Sequence, residues 1–304
     1  MRRKHSKVLR EILESHVNAV EKGHGIDAAP LLRTHTQTSS EYLKKFESDS
    51  GFHRALRKDL EGARDVQQAF FPPRTFSIPC ISCETFYHPV NSIGGDYYDF
   101  LSLHGGRWGI AIGDVSGKGI GAALIMASLH ASLRAQALHS HLDLSTLVRD
   151  VNQLVFESSP ANFFASLFYA EYEPAKRLLK YVNAGHNPPI VVRRHNESSE
   201  IFRLKPTDIP IGISADLQFT TRTFQLAIDD VLVAYTDGIP EQQNRDDEMW
   251  GQQRLEILLR SCYRASSEQI IERILVEVSS FAKGQPQRDD MTLVVLKVED
   301  GCGL

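Results

Sequence analysis

The 304-residue sequence predicts an α+β chain in which mainly antiparallel sheets are covered by helices, with a helical region in front of them. Three observations carry that expectation. From Ile78 onward the chain breaks into short apolar runs, several joined by turns too short for a helical crossover, which favours hairpins. Strand candidates outnumber helix candidates and do not alternate strictly with them, which argues against a doubly wound parallel sheet. Ahead of Pro72-Pro73 the texture is helical instead, and the proline pair ends it. The boundary is placed there, with residues 1–72 as a helical regulatory or linker region and residues 73–304 as the main domain.

Taken in order, Val8 to Val20 is apolar at helical spacing and is stopped by Gly23 and Gly25. A second helix is expected from Ser40 to Phe70. Within it Phe52, Leu56, Leu60, Ala63, Gln67 and Phe70 approximate a coiled-coil seam, suited either to a homodimer or to packing on the main domain. Strands are expected at Ile81–Tyr87, Trp108–Ile112, Phe163–Tyr172, Leu178–Asn183, Ile190–Arg193, Ile201–Leu204, Phe219–Phe224, Val231–Tyr235 and Thr292–Val298. Helices are expected at Gly119–His139, Leu144–Ser158, Gln252–Cys262 and Glu268–Lys283.

Composition excludes several classes. Hydrophobic residues are 42 % and charged residues 24 %, as in a folded globular chain. Lys plus Arg number 34 against 38 Asp plus Glu, a net charge of −4, so no basic footprint for nucleic acid exists. Four cysteines make no disulfide framework, which favours a reducing compartment. No apolar run follows the basic N-terminus, and the uncharged run starting at Gly119 falls short of the roughly 20 residues a bilayer requires. A cytoplasmic protein is expected.

The chemistry lies in acids at the ends of apolar strands. Asp96 and Asp99 sit in Gly94-Gly-Asp-Tyr-Tyr-Asp-Phe100, Asp114 follows Trp108–Gly113, Asp237 follows Val231–Thr236, and Asp289-Asp290 precede Met291–Leu296. A sheet can bring such ends to one edge, and a set of hard carboxylate oxygens suits Mg²⁺ or Mn²⁺, not zinc. Any one of these residues alone reads equally well as a turn former. Gly117-Lys-Gly-Ile-Gly-Ala122 superficially fits a dinucleotide fingerprint but lacks the second strand with its acid, and Cys80-Ile-Ser-Cys83 has no second pair to complete a metal site.

Phe71-Pro-Pro73, Ile93-Gly-Gly-Asp-Tyr-Tyr-Asp-Phe100, Gly113-Asp-Val-Ser-Gly-Lys-Gly119, Asn183-Ala-Gly-His-Asn-Pro188, Tyr235-Thr-Asp-Gly-Ile239 and Asp289-Asp-Met-Thr292 resemble, in kind and order, the motifs of SpoIIE/RsbU-type phosphatases. These are members of the PPM class of metal-dependent protein serine/threonine phosphatases, and the resemblance spans about residues 60–299. It implies an αββα sandwich with a binuclear Mn²⁺ or Mg²⁺ site at one end. By the same resemblance Asp114 bridges the two ions, the Val115 carbonyl is a second ligand, and Asp237 and Asp289 complete the set. Asp96 is an outer acid that, with Asp114, serves water activation, and Asp290 plays a supporting part.

The substrate implied is a phosphorylated regulator of the anti-sigma-factor antagonist type in a stress-response circuit. An upstream activator would act on the N-terminal helices, and helix 119–139 would gate the site. The chain departs from the wider class at Ser116, where many PPM phosphatases carry a His, and at Gly95, where an acid is typical. No Arg is marked as a phosphate clamp, leaving Lys118 and His186 as nearby candidates. A phosphatase-like module that binds a phosphorylated partner with poor turnover is the competing reading, and a calcium-stabilised structural protein is a third.

Overall fold

Period-two alternation along the strands sorts this chain into layers. The computed structural model describes residues 50–139, 143–160, 162–195 and 198–300, and within them eleven strands form two sheets. The strands are β1 (Thr75–Ile78), β2 (Ile81–His88), β3 (Tyr97–Ser102), β4 (Trp108–Val115), β5 (Ala165–Glu173), β6 (Leu178–Ala184), β7 (Ile190–His195), β8 (Ser198–Arg203), β9 (Arg222–Gln225), β10 (Val231–Tyr235) and β11 (Met291–Val298). One sheet runs β1-β2-β11-β10-β7-β8 and the other β3-β4-β5-β6-β9, with every neighbouring pair antiparallel. The described helices are α1 (Ser50–Gln68), α2 (Ile120–His139), α3 (Leu144–Ser158), α4 (Gln252–Cys262) and α5 (Ser267–Ala282).

Three apolar layers hold the stack together. Tyr98, Phe100, Ile110, Ile112, Phe168 and Ala170 of one sheet meet Leu232, Ala234, Val294 and Leu296 of the other. Their odd-numbered neighbours, such as Ala111, Leu167 and Tyr169, point the opposite way and pack on Met126, Leu129, Leu133, Val148 and Val151 of α2 and α3. On the far side Val233, Tyr235, Leu293 and Val295 pack on Leu255, Leu259, Ile270 and Ile274 of α4 and α5. Residues i and i+2 of a strand share a face, so each central strand serves two layers at once. The result is the αββα sandwich. Helix starts follow local chemistry: Asp143 caps α3 through the Thr146 N–H, and Ser266 with Gln269 forms a capping box on α5.

Boundaries differ from expectation in a few places. Strands β1 and β3 were not among the expected strands; β3 hides because Gly94-Gly-Asp-Tyr-Tyr-Asp looks like a turn until the sheet pairs it with β4. The strand expected from Phe163 starts at Ala165, the one expected at Ile201–Leu204 is Ser198–Arg203, and the one expected at Phe219–Phe224 is Arg222–Gln225. The helix expected over Val8–Val20 lies outside the described residues, as does the expected helix before Ser50. Of the heptad positions, Gln67 is buried and Phe70 stacks on His130, so both are committed to the domain that begins at Leu60, whereas Leu56 is 41 % exposed.

Asp99 is the acid the sandwich turns away from the others. Its odd number points it at α2, where it is fully buried and Arg134 Nε and Nη2 donate to its two oxygens at 2.7 Å each. The Tyr97 hydroxyl adds a third hydrogen bond at 3.1 Å. Arg134→Ala leaves that charge buried and unpaired, and is expected to lower unfolding stability by about 3 kcal/mol, read by denaturant titration. Asp99→Asn with Arg134→Ala should recover part of the loss.

Candidate active site

The inter-sheet layer is apolar along most of its length and polar at one end. On β4 the series Ile110, Ile112 continues to Asp114; on β5 Ala170, Phe168 continues to Ser166; on β3 Phe100, Tyr98 continues to Asp96. On β10 Leu232, Ala234 continues to Thr236, and on β11 Leu296, Val294 continues to Thr292 and Asp290. Register puts these ends together, because Tyr97 pairs with Gly113, Asp114 with Ser166, and Tyr235 with Leu293. Asp237 and Asp289 flank the same rung. A cavity of about 310 Å³ opens there, lined by Asp114, Lys118, Ser166, His186, Asp237 and Asp289.

The acids have unequal roles. Asp96 is 1 % exposed and its Oδ2 accepts from Thr236 Oγ1 at 2.8 Å and from Thr292 Oγ1 at 2.5 Å. Burial first, and the Asp114 charge second, push Asp96 well above the usual carboxylate range. Burial followed by the charges of Asp237, Asp289 and Asp290 pushes Asp114 up to about 8. Asp237 is pushed up to about 6 by burial, Asp289 and Glu241, with Lys118 opposing. Asp290 is turned into the loop ahead of β3, where Oδ1 accepts the Val90 N–H and Oδ2 the Gly95 N–H, each at 2.7 Å.

Close approach selects two glycines. A Cβ on Gly238 would stand 2.0 Å from the Asp290 carbonyl oxygen, so the turn after Asp237 admits no side chain. A Cβ on Gly95 would stand 3.0 Å from both the Val115 carbonyl and the Ala122 Cβ, which accounts physically for glycine where an acid was expected. The Gly94 backbone is clamped at both ends by Gln67 of α1: Gln67 Nε2 donates to its carbonyl at 2.8 Å and its N–H donates to Gln67 Oε1 at 3.1 Å.

The donor chemistry fits a hard divalent cation. Asp114, Asp237 and Asp289 line one cavity, where the charges of Asp237 and Asp289 oppose ionisation of Asp114, and a cation relieves that opposition without a proton. The set is open: among the described residues no three Asp, Glu, His or Cys side chains close on one point tightly enough to enclose an ion. Asp289 is instead drawn to Lys118, whose Nζ lies 2.8 Å from Oδ2 and also donates to the Arg288 carbonyl.

Of the expected phosphate-binding candidates, Lys118 is the cation on the cavity wall, whereas burial pushes His186 down to about 3 and keeps it neutral. Ser116 accepts the Phe164 N–H at 3.0 Å and ties the loop to β5. Gln67, Ser166, Thr236 and Thr292 were not singled out as site residues. The latter three carry a signal, since each continues an apolar strand series at even spacing; Gln67 carries none, because its helical position reads as part of a seam.

Two-sheet architecture and a carboxylate cavity at the end of the inter-sheet layer define a PP2C-type phosphatase domain. The SiaA PP2C domain of Pseudomonas aeruginosa superposes with a TM-score of 0.71 at 20 % identity, covering 82 % of this chain and 99 % of that one. Residues 104–299 match the family described as Stage II sporulation protein E (SpoIIE), and the chain belongs to that family. It is 28 % identical over 267 residues to protein IcfG of Synechocystis sp., covering 79 % of this chain and 41 % of that protein. It is 26 % identical over 257 residues to phosphoserine phosphatase RsbU of Bacillus subtilis, covering 81 % of this chain and 72 % of the relative. The chain thus spans about two fifths of IcfG and most of RsbU. Among the described residues no helix is long and apolar enough to cross a membrane.

Two outcomes follow from the electrostatics. Asp114 and Asp237 bind protons more tightly folded than unfolded, so chelator-treated protein should lose stability as pH rises from about 4, the unfolded carboxylate value, through about 6 and 8. Melting in EDTA across that window checks it, with Mn²⁺ expected to stabilise most at the alkaline end. Lys118→Met removes a competitor for Asp289, and because that ion pair is partly exposed its loss should tighten Mn²⁺ binding by no more than roughly fivefold, read by calorimetry.

Proposed function

We propose that this chain is a Mn²⁺- or Mg²⁺-dependent phosphatase that removes phosphate from serine or threonine of a signalling protein, of the anti-sigma-factor antagonist type. The observation that carries the reading is the convergence of Asp96, Asp114, Asp237 and Asp289 at one end of the sandwich, with a single lysine beside them. A dense carboxylate set is unfavourable unless cations enter it. Family membership and the phosphoserine phosphatase relative point the same way. When bound, a pair of divalent ions supplies water of lowered pKa and neutralises phosphoryl oxygens.

The residues divide the remaining work. Asp114, Asp237, Asp289 and the Val115 carbonyl would hold the ions, and Asp96, fixed by Thr236 and Thr292, would orient outer water. The attacking oxygen forms a bond to phosphorus in line with the departing seryl oxygen, the ester P–O bond breaks, and solvent supplies the leaving group's proton. Lys118, on the cavity wall beside Asp289, would meet the phosphoryl charge. The region before Pro72 would receive an activator or a second copy of the chain, in a cytoplasmic stress-signalling circuit.

Ser116 in place of a histidine favours the second reading, a module that binds a phosphorylated partner and turns it over poorly. Phosphate release from p-nitrophenyl phosphate and from a phosphoserine protein, with Mn²⁺, Mg²⁺, Ca²⁺ or chelator, separates them. Turnover should require Mn²⁺ or Mg²⁺, and Asp114→Asn should lower it by about two to four orders of magnitude. Metal binding seen by calorimetry with no turnover of either substrate would instead establish the binding module.

A further inference from the structure

We propose that Ser166, held by His186, is the residue that orients the attacking water, an inference that rests on the phosphatase reading above. Ser166 is the direct ladder partner of Asp114. Directly opposed residues present their side chains on one face with Cβ atoms about 5 Å apart, and both line the cavity. Ser166 Oγ lies 2.8 Å from His186 Nδ1. The ring is 2 % exposed, and its backbone is pinned where the His186 N–H donates to Asn183 Oδ1 at 2.8 Å. Asn183 is in turn anchored through Nδ2 to the Leu204 carbonyl at 2.9 Å. The imidazole therefore has little freedom to swing toward solvent or substrate.

Burial keeps His186 neutral, and Nε2 is enclosed without a hydrogen-bond partner, so the ring's side-chain hydrogen bond is the one between Nδ1 and Ser166 Oγ. A hydroxyl has one proton and two lone pairs, so whether it donates to Nδ1 or accepts from it, Ser166 Oγ keeps a lone pair for the cavity. Among the side chains lining that wall, the three aspartates are the ion-binding set and Lys118 has no lone pair to offer, which leaves Ser116, Ser166 and Asn187 as neutral acceptors, and of these Ser166 is the one that shares a ladder rung with Asp114. Ser166 Oγ is thus placed to hold a water by its hydrogen beside Asp114, so that the oxygen faces phosphorus. Ser166 holds this proton and does not remove it. His186 acts only through Ser166 and is a positioning residue.

The test uses the full chain with Mn²⁺ and p-nitrophenyl phosphate. Ser166→Ala should lower kcat by about 10- to 100-fold, with KM and the calorimetric Mn²⁺ affinity both held within roughly threefold. Ser166→Thr, which restores the hydroxyl, should recover most of kcat. His186→Gln should also lower kcat, and the double variant Ser166→Ala/His186→Gln should be no slower than Ser166→Ala alone, because the two act as one unit. A Ser166→Ala kcat within about twofold of wild type overturns the inference. So does a loss of Mn²⁺ affinity in step with kcat, or losses that multiply in the double variant. If His186→Gln melts below the assay temperature, the Ser166→Ala and Ser166→Thr pair decides alone. Wild-type protein that binds Mn²⁺ but turns over neither substrate defeats the phosphatase reading, and this inference with it.

Discussion

Everything at the site depends on strand parity. Residues 96, 98 and 100, 110, 112 and 114, and 166, 168 and 170 all belong to the face between the sheets, as do 232, 234 and 236 and 290, 292, 294 and 296. On these five strands the side chains of that face are apolar for two or three rungs and then become Asp, Ser or Thr at the same end. A slip of one residue in β4 would send Asp114 into the helix-facing layer and Gly113 into the cavity. The apolar rungs therefore do two jobs: they hold the sheets together, and by fixing register they deliver the carboxylates to one place. The pairing of Asp99 with Arg134 shows the rule from its other side, since three residues from Asp96 the same strand faces the helices.

Such a site is unfavourable by itself. Asp96, Asp114 and Asp237 are all held above their ordinary proton affinities by burial and mutual repulsion. What keeps the end of the sandwich assembled is a belt of neutral and backbone contacts: Thr236 and Thr292 on Asp96, Val90 and Gly95 on Asp290, Gln67 on Gly94. Lys118 supplies the one countercharge on the cavity wall and does so at Asp289, the more exposed end of the set. The apolar layers carry the stability and the acids draw on it, as expected where a structure stores strain for function.

Much of this was legible from the chain. Asp114, Asp237 and Asp289 could be found because each ends or begins an apolar run, and their motifs occur in the order of a known family. The sandwich itself followed from that resemblance; short runs and turns alone indicated only antiparallel sheets under helices. Three things were not legible. Strand β3 was hidden because Tyr97-Tyr98-Asp99 between glycines and acids looks like a turn until β4 pairs with it. Strand-end position alone does not tell Asp96 from Asp99; only the resemblance did, and the physical reason, the face each occupies, was hidden. Gln67 read as a heptad position because a helix period says where a side chain points but not that a glycine backbone waits there. Lys118 and His186 were both legible as residues near the site, yet only burial separates a cation at the cavity mouth from a neutral ring in its wall.

The end of α1 touches both halves of this arrangement. Gln67 holds Gly94, two residues from Asp96, and Gly95 is held in turn by Asp290. Phe70 stacks on His130 of α2, which lies beside the buried Asp99–Arg134 pair. One short segment thus bears on the loop that aims Asp96 and on the helix that follows Asp114. A rotation of α1 that withdrew Gln67 would leave both backbone groups of Gly94 without partners in a buried place, which is costly. The loop would have to move to satisfy them, and Asp96 with it. The geometry of the acid set is therefore not a property of the sandwich alone; it is conditional on how the chain enters the domain.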